Sequence, residues 1–201
     1  MDLAVLASGY GSNLQAIIDA VQNREINGRV ALVISDRKDA YALQRARDRG
    51  IETLFIDPHV HEGRDAYDTA IVEILHNRKI RLVILAGFMR LLTASFVQEF
   101  KGRIMNIHPS LLPAFPGLDG VKQALTYGVK VSGCTVHFVD EGLDTGPIIL
   151  QEAVPVYDHD TEDSIHARIH RVEHRLYPRA IQLFIEGKLR LEGRRCLADE
   201  N

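Results

Sequence analysis

The run Asn106-Ile107-His108-Pro109-Ser110-Leu111-Leu112-Pro113, with Asp144 further along the chain, concentrates side chains that can move a proton and bind a carbonyl oxygen. Arg103 to Ile107 reads as a short buried strand, and side chains on a strand alternate between faces, so Asn106 and His108 are expected on one side of it. An amide can donate to a carbonyl oxygen, an imidazole exchanges a proton near neutral pH, and a carboxylate beside that imidazole favours its charged form. Together they suit attack of an amine on an activated carbonyl: Asn106 as donor to the oxygen, His108 as general acid, Asp144 as the charge that holds His108 protonated. No serine or cysteine nucleophile is needed. Taken singly, His108 would more often be a structural histidine, and Asp144 would more often close an Asx-type turn with Thr145 or Gly146. Their joint occurrence with Asn106 and Leu111-Leu112-Pro113 is what favours the catalytic reading.

Three further groups of residues invite a chemical reading. Gly9-Tyr10-Gly11-Ser12-Asn13 falls between the first expected strand and the first expected helix, where free backbone N–H groups and the helix dipole attract an anion such as phosphate. Asp36, at the end of the second strand, allows a competing dinucleotide fingerprint, but Leu14 stands where the third glycine of that fingerprint would let helix and strand approach. A plain tight turn is the bland alternative for these glycines. Gly87 to Leu92 offers apolar side chains and exposed backbone, a lining suited to a flat ring, with ordinary core as the alternative for Leu91. His166, His170 and His174 share one helix face at four-residue spacing, yet no glutamate follows the first histidine as in a zinc-protease signature, so a polar face is expected rather than a metal site.

These residues need a scaffold, and the first half of the chain supplies alternating short apolar runs and helical patterns. Strands are expected over Leu3–Ala7, Val30–Ser35, Thr53–Ile56 and Leu82–Ala86, and helices over Asn13–Val21, Ala40–Arg49 and Ala66–His76. Right-handed crossovers then require a Rossmann-like, doubly wound α/β fold with a mostly parallel sheet, whose ligands gather outside the carboxyl ends of the strands. Ser8, Gly87 and His108 all follow such ends. Beyond Asn106 come a proline-rich loop, a short helix near Val121–Tyr127, and two β-rich runs, Val131–Val139 and Ile148–Val156, expected to pair antiparallel. Asp160-Thr161-Glu162-Asp163 opens a last long helix that runs through Ile185 and ends before Gly187.

Composition narrows the class. A chain of 201 residues, 46% hydrophobic and 25% charged, is expected to form one domain over 1–201, divided only into a βαβ half over 1–100 and a catalytic half over 101–201. A formal charge of −3 disfavours nucleic acid as a partner. Cys134 and Cys196, without close spacing, read as reduced thiols. The start Met1-Asp2-Leu3-Ala4-Val5 carries no basic leader, and no apolar run approaches the roughly 18 residues needed to span a bilayer, so the protein is expected to be cytoplasmic with no membrane partner.

Asn-x-His-Pro-Ser-Leu-Leu-Pro with Phe115-Pro116-Gly117 resembles the signature of the folate-dependent formyltransferases. The likeness continues through Ser8–Asn13, Leu85–Arg90, Asp140–Pro147 and Glu173-His174, and so covers almost the whole chain. It implies the branch of that family that acts on glycinamide ribonucleotide in de novo purine biosynthesis. There the amine of 5'-phosphoribosylglycinamide attacks the formyl carbon of the co-substrate 10-formyltetrahydrofolate, a tetrahedral species forms, and a proton passes to the departing folate nitrogen, with no metal and no tightly bound cofactor. By the same resemblance Gly11, Ser12 and Asn13 hold the ribonucleotide phosphate and Glu173 contacts the glycinamide substrate, while Arg64, Met89, Arg90, Leu91, Leu92, Asn106, Val139, Asp140 and Asp144 bind folate. Without that resemblance Arg64 would read as a solvated surface arginine. One departure follows Leu118, where many members carry a histidine and this chain has Asp119-Gly120-Val121.

Rivals remain. Methionyl-tRNA formyltransferase adds a C-terminal tRNA domain, and this chain ends soon after its last helix; formyltetrahydrofolate deformylase adds a preceding regulatory domain and lets water attack. A non-catalytic nucleotide-binding module would leave Asn106, His108 and Asp144 without a joint purpose, and a dehydrogenase is the weakest rival. The expected partners are the two small-molecule substrates, with the protein a monomer or homodimer.

Overall fold

The computed structural model describes residues 1–199; residues 200 and 201, the end of the single-domain span expected above, lie outside the described residues. Seven strands form one sheet: β1 (Asp2–Leu6), β2 (Arg29–Ser35), β3 (Glu52–Phe55), β4 (Leu82–Leu85), β5 (Ile104–His108), β6 (Val131–Phe138) and β7 (Ile148–Pro155), in the order β3-β2-β1-β4-β5-β6-β7. The sheet is mostly parallel, with an antiparallel β6–β7 edge, and helices flank it. The doubly wound α/β class expected from the alternation is therefore the observed one. Cα packing divides the chain into two compact units, Met1–Met105 and Asn106–Asn201.

In the first unit, β1 pairs in parallel with β2 on one side and with β4 on the other. Both β1 and β4 are nearly continuous apolar runs buried along their length, as a strand covered on both faces must be. The chain winds outward from β1 through β2 to β3 and then returns to the opposite side of β1, so the order in which strands are added reverses between β1 and β4, although the two strands are parallel. Loops leaving the carboxyl ends of strands at such a point border a natural crevice. Buried Ser8 ties the two loops there: its N–H donates to Gly87 O (3.0 Å) and its Oγ accepts the Met89 N–H (2.9 Å). The helices are α1 (Ser12–Gln22), α2 (Tyr41–Arg47), α3 (Gly63–Asn77) and α4 (Ala94–Glu99), with a single 3-10 turn at Pro58–Val60. Helix α1 buries Leu14, Ile17 and Ile18, the i, i+3, i+4 stripe of a core-facing helix.

Two of these helices differ from the expectation. Helix α3 starts three residues earlier, because Gly63-Arg64-Asp65 is polar and shows no apolar period. Helix α4 was not anticipated. It is six residues long, and its start is set by Thr93, whose side chain accepts the Phe96 N–H and whose own N–H bonds buried Asp68 at 2.6 Å.

The second unit holds α5 (Gly120–Tyr127) and α6 (Glu162–Ile185). Strand β6 is buried from Ser132 to Phe138, and it leaves no room beside Gly133, where a Cβ would lie 2.1 Å from Glu152 O and 2.7 Å from Leu111 Cδ2. The proline-rich loop is pinned to this hairpin by side chains. Thr135 Oγ1 donates to Ser110 O (2.7 Å) and accepts the Leu112 N–H (3.1 Å), and Gln151 Nε2 donates to both Leu112 O and Thr135 Oγ1 at 2.8 Å. Helix α6 opens with a reciprocal Thr161–Ser164 capping box, reinforced by Asp160. The Arg168 guanidinium beside Asp160, with the Ser164 hydroxyl and the Tyr157 N–H, holds the Asp160 carboxyl far below the usual carboxylate range. Pro178 lies inside this helix and leaves the His174 carbonyl without its helical donor, yet the helix continues to Ile185 before Gly187 takes φ 70°. The tail forms an unanticipated hairpin, β8 (Leu189–Glu192) with β9 (Arg195–Ala198), joined by a two-residue turn in which Gly193 has φ 61°.

Candidate active site

Strand β5 ends on His108, which is buried, with Asn106 half-buried two residues before it. His108 Nε2 lies 2.7 Å from Phe115 O, and since a carbonyl only accepts, Nε2 carries the hydrogen. Nδ1 then faces Asp144 Oδ2 at 3.5 Å. Asp144 is held in the left-handed region at φ 53°, and its Oδ2 also accepts the Gly117 N–H at 2.7 Å. Its other oxygen, Oδ1, lies 3.6 Å from His137 Nε2. His137, on β6, is 2% exposed; its Nδ1 donates to Phe138 O (2.9 Å), and its Nε2 lies 3.3 Å from Asn106 Nδ2. Asn106, His137, Asp144 and His108 thus form one connected row, with a carboxylate between two imidazoles.

His137 was not anticipated. Its signal was a lone histidine inside the otherwise apolar end of a strand, a pattern that more often marks a satisfied core group than a reactive one.

The electrostatics correct one expectation. Asp144 does not keep His108 protonated: burial pushes the His108 imidazole below its ordinary 6.5, the Phe115 carbonyl and Asp144 pull it back upward, and His137 pushes it further down. Desolvation wins because the ring is almost closed off from water. Asp144 itself titrates below its ordinary value; burial opposes this, but the His137 side chain, the Gly117 N–H and the two imidazoles together prevail. The turn bond considered for Asp144 is made instead by Asp140, whose Oδ1 accepts the Gly142 N–H (3.1 Å) and the Thr145 hydroxyl (2.6 Å).

The chain's departure after Leu118 bears directly on His108. Asp119 adopts φ 60° at the start of α5, and a Cβ on Gly120 would lie 3.1 Å from both His108 Nε2 and Phe115 O. Glycine at 120 therefore leaves the imidazole and its carbonyl partner their room.

In the first unit, Gly11 caps α1 with φ 75°, and a Cβ there would fall 2.8 Å from Ala42 Cβ. Gly11, Ser12 and Asn13 are half-buried, with Ser12 and Asn13 in the first turn of the helix. In the loop after β4, Arg64 Nη2 donates to Leu91 O (3.0 Å) and Leu92 O (3.5 Å), so Arg64, though exposed, supports that loop rather than standing free in solvent. Arg90 lies over the Tyr67 ring at 4.9 Å. Met89 and Leu91 are exposed, so Leu91 is not core: it sits on a loop outside the sheet.

In the second unit, Glu173 is buried on α6, 3.9 Å from His170. His166, His170 and His174 follow one another along the helix with ring centroids 5.6 and 6.0 Å apart. Burial lowers the His170 imidazole, and burial with His170 lowers His174. Among the described residues no group of three His, Cys, Asp or Glu could hold a metal ion, and no helix is long and apolar enough to cross a membrane. Val139 and Asp140 are half-buried between β6 and the Asp144 turn. Both cysteines are free thiols, and burial, with Glu173 nearby, pushes Cys134 up to about 12.

Comparison with known proteins bears on the family and the fold. The trifunctional purine biosynthetic protein adenosine-3 of Drosophila melanogaster is 51% identical over 187 residues, 92% of this chain but only 14% of that protein. Phosphoribosylglycinamide formyltransferase of Escherichia coli (strain K12) is 47% identical over 191 residues, 95% of this chain and 90% of that enzyme. The crystal structure of glycinamide ribonucleotide transformylase 1 from Symbiobacterium toebii matches with a TM-score of 0.97 and 55% identity, covering 98% of this chain and 93% of that one. With residues 1–181 matching the formyl transferase family throughout, the chain belongs to that family.

Proposed function

We propose that this protein transfers the formyl group of 10-formyltetrahydrofolate to the amine of 5'-phosphoribosylglycinamide, a step of de novo purine biosynthesis, as a single formyltransferase domain. The observation that carries the reading is the row of Asn106, His137, Asp144 and His108 in a member of this family. The amine attacks the formyl carbon and the C=O electron pair moves onto oxygen. Asn106, whose Nδ2 lies beside His137 Nε2, donates an N–H to that oxygen.

The depressed pKa of His108 fits this chemistry. A neutral imidazole can take the proton that the attacking amine must lose, and it does so on Nδ1, because Nε2 already donates to Phe115 O. The cation so formed is stabilised by Asp144, and it then returns the proton to the folate nitrogen as the C–N bond to the formyl carbon breaks. Neither a metal nor a covalent enzyme intermediate enters this scheme.

Gly11, Ser12 and Asn13 are proposed to hold the phosphate on the first turn of α1, and Glu173 to contact the glycinamide moiety. Arg64, Met89, Arg90, Leu91, Leu92, Val139 and Asp140, with Asn106 and Asp144, are proposed to line the folate site. The reading includes a cytoplasmic enzyme, monomeric or homodimeric, without a tightly bound cofactor.

The test is release of deformylated folate from a 10-formyl folate, followed by absorbance with and without phosphoribosylglycinamide. Release that depends on the ribonucleotide is expected. Release in its absence would make water the acceptor and the protein a deformylase; no release in either case would leave a binding module.

A further inference from the structure

We propose that Arg45 is a positioning residue that sets the direction of the Gly11 N–H in the loop between β1 and α1, an inference that rests on reading Gly11–Asn13 as the phosphate-binding loop. Arg45 lies on α2, one turn beyond Tyr41, and its side chain reaches back across the loop. Its Nε donates to Tyr10 O at 2.9 Å, and Nη1 donates to Gln15 Oε1 at 3.1 Å. Gln15 is oriented in turn by its own amide, which donates to Asp19 Oδ1 at 2.9 Å one turn along α1. The guanidinium lies against two aromatic rings, 4.4 Å from the Tyr10 centroid and 4.7 Å from that of Tyr41, and the rings stack on each other at 5.2 Å and 18°.

The consequence follows from peptide geometry. In a trans peptide the C=O of one residue and the N–H of the next point in opposite directions across one plane. Holding the Tyr10 carbonyl against Arg45 therefore aims the Gly11 N–H away from the guanidinium. The backbone on the other side of the loop is fixed independently, by the Ala42 N–H donating to Gly9 O (3.0 Å) and by close packing of Gly11 on Ala42. Gly9 O and Gly11 O accept the Ala42 and Gln15 N–H groups, and Arg45 Nε is the donor that holds the Tyr10 carbonyl between them. A planar, two-handed donor suits the task better than a point charge, since it spans Tyr10 O and Gln15 Oε1 while keeping its face on the rings.

The test uses the intact protein and steady-state kinetics with both substrates. Arg45→Met is expected to raise KM for phosphoribosylglycinamide about tenfold, the scale of one charge-assisted hydrogen bond, while kcat and KM for the folate stay within about twofold. Arg45→Lys is expected to remain within about threefold of Arg45→Met; restoration of the native KM by lysine would overturn the proposal and leave a simple charge effect. Gln15→Met, which removes one support and keeps the arginine, is expected to raise the same KM by a smaller factor and serves if Arg45→Met folds poorly. Ser12→Ala reports on the loop itself. If Ser12→Ala raises KM for the ribonucleotide and both Arg45→Met and Gln15→Met leave it unchanged, the positioning role fails while the phosphate loop stands. If Ser12→Ala also leaves it unchanged, the phosphate-loop reading fails and the inference with it.

Discussion

Replacing Asp144 by asparagine isolates the charge that the row of side chains places between its two imidazoles. The substitution preserves shape. Asparagine keeps an oxygen to accept the Gly117 N–H, now 2.7 Å from Oδ2, and it tolerates the φ of 53° better than most residues would. What disappears is a negative charge 3.5 Å from His108 Nδ1 and 3.6 Å from His137 Nε2. Two full unit charges at the His108 distance interact by roughly 5 kcal/mol at an effective dielectric of about 20. Both charges are delocalised, over two oxygens and two ring nitrogens, which brings the support for a developing His108 cation to about 2–3 kcal/mol. Turnover should therefore fall on the order of 10²-fold. KM for the ribonucleotide should change little, and the melting temperature should stay within a few degrees, because packing and the Gly117 bond survive. The acid limb of kcat/KM should also move to lower pH, since Asp144 is one of the groups that raise the His108 pKa. The assay is ribonucleotide-dependent folate release across pH 5–9 on the native protein and the variant. A kcat within about threefold of native, with the acid limb unmoved, would mean that no His108 cation forms in the rate-limiting transition state.

Other perturbations probe different links. Asn106→Ala should lower kcat on the order of 10²-fold with the fold intact, as expected for loss of an oxyanion donor; an effect on KM alone would remove it from that role. Gly120→Ala places a Cβ 3.1 Å from His108 Nε2 and Phe115 O and should lower kcat about tenfold by displacing that bond, and native turnover would show that the loop yields freely. Ser8→Ala leaves the Met89 N–H without its 2.9 Å acceptor and should destabilise the protein by about 1–3 kcal/mol in urea while raising KM for the folate; unchanged folate KM would separate Ser8 from that site. His108, His170 and His174 all titrate below their ordinary 6.5 in the folded protein, so below that pH the unfolded chain binds more protons than the folded one. Their contribution to stability is complete above the unfolded value and is lost as pH falls through the folded values; urea unfolding at pH 5–8 should show stability rising with pH over that acid window, and the opposite slope would contradict the directions assigned here.

The parts of this molecule that could be read without coordinates are those in which local pattern and final environment coincide. Strands β1 and β4 are apolar on consecutive residues because both of their faces are covered, and the glycines that follow mark the loops at their carboxyl ends. Pattern reading failed where the local composition was polar or the element short: the first turn of α3, the six residues of α4, and the four-residue strands of the β8–β9 hairpin. Each hairpin strand is only four residues long, so the alternation Leu189-Arg190-Leu191-Glu192 was too short to stand out as a strand, and the second strand, Arg195–Ala198, shows no alternation to match it.

The site divides along the same line. Asn106 and His108 could be placed together because a strand period of two relates them. Asp144 and Asp140 sit in one loop and are equivalent by composition; only the backbone at φ 53° and the Gly117 N–H distinguish the acid that faces the imidazoles from the acid that closes the turn. His137 reaches the row from another strand, through pairing that no short-range pattern encodes. The protonation state of His108 was the least legible feature, since residue types supply the partner charge but not the water lost around it. A nearby carboxylate argues for a cation, whereas desolvation argues for a neutral ring, and only burial in the folded chain decides between them. The outcome matters to mechanism: a resident imidazolium could not accept the proton of an attacking amine, but a neutral ring beside a fixed carboxylate can accept it and then hold it for the leaving nitrogen.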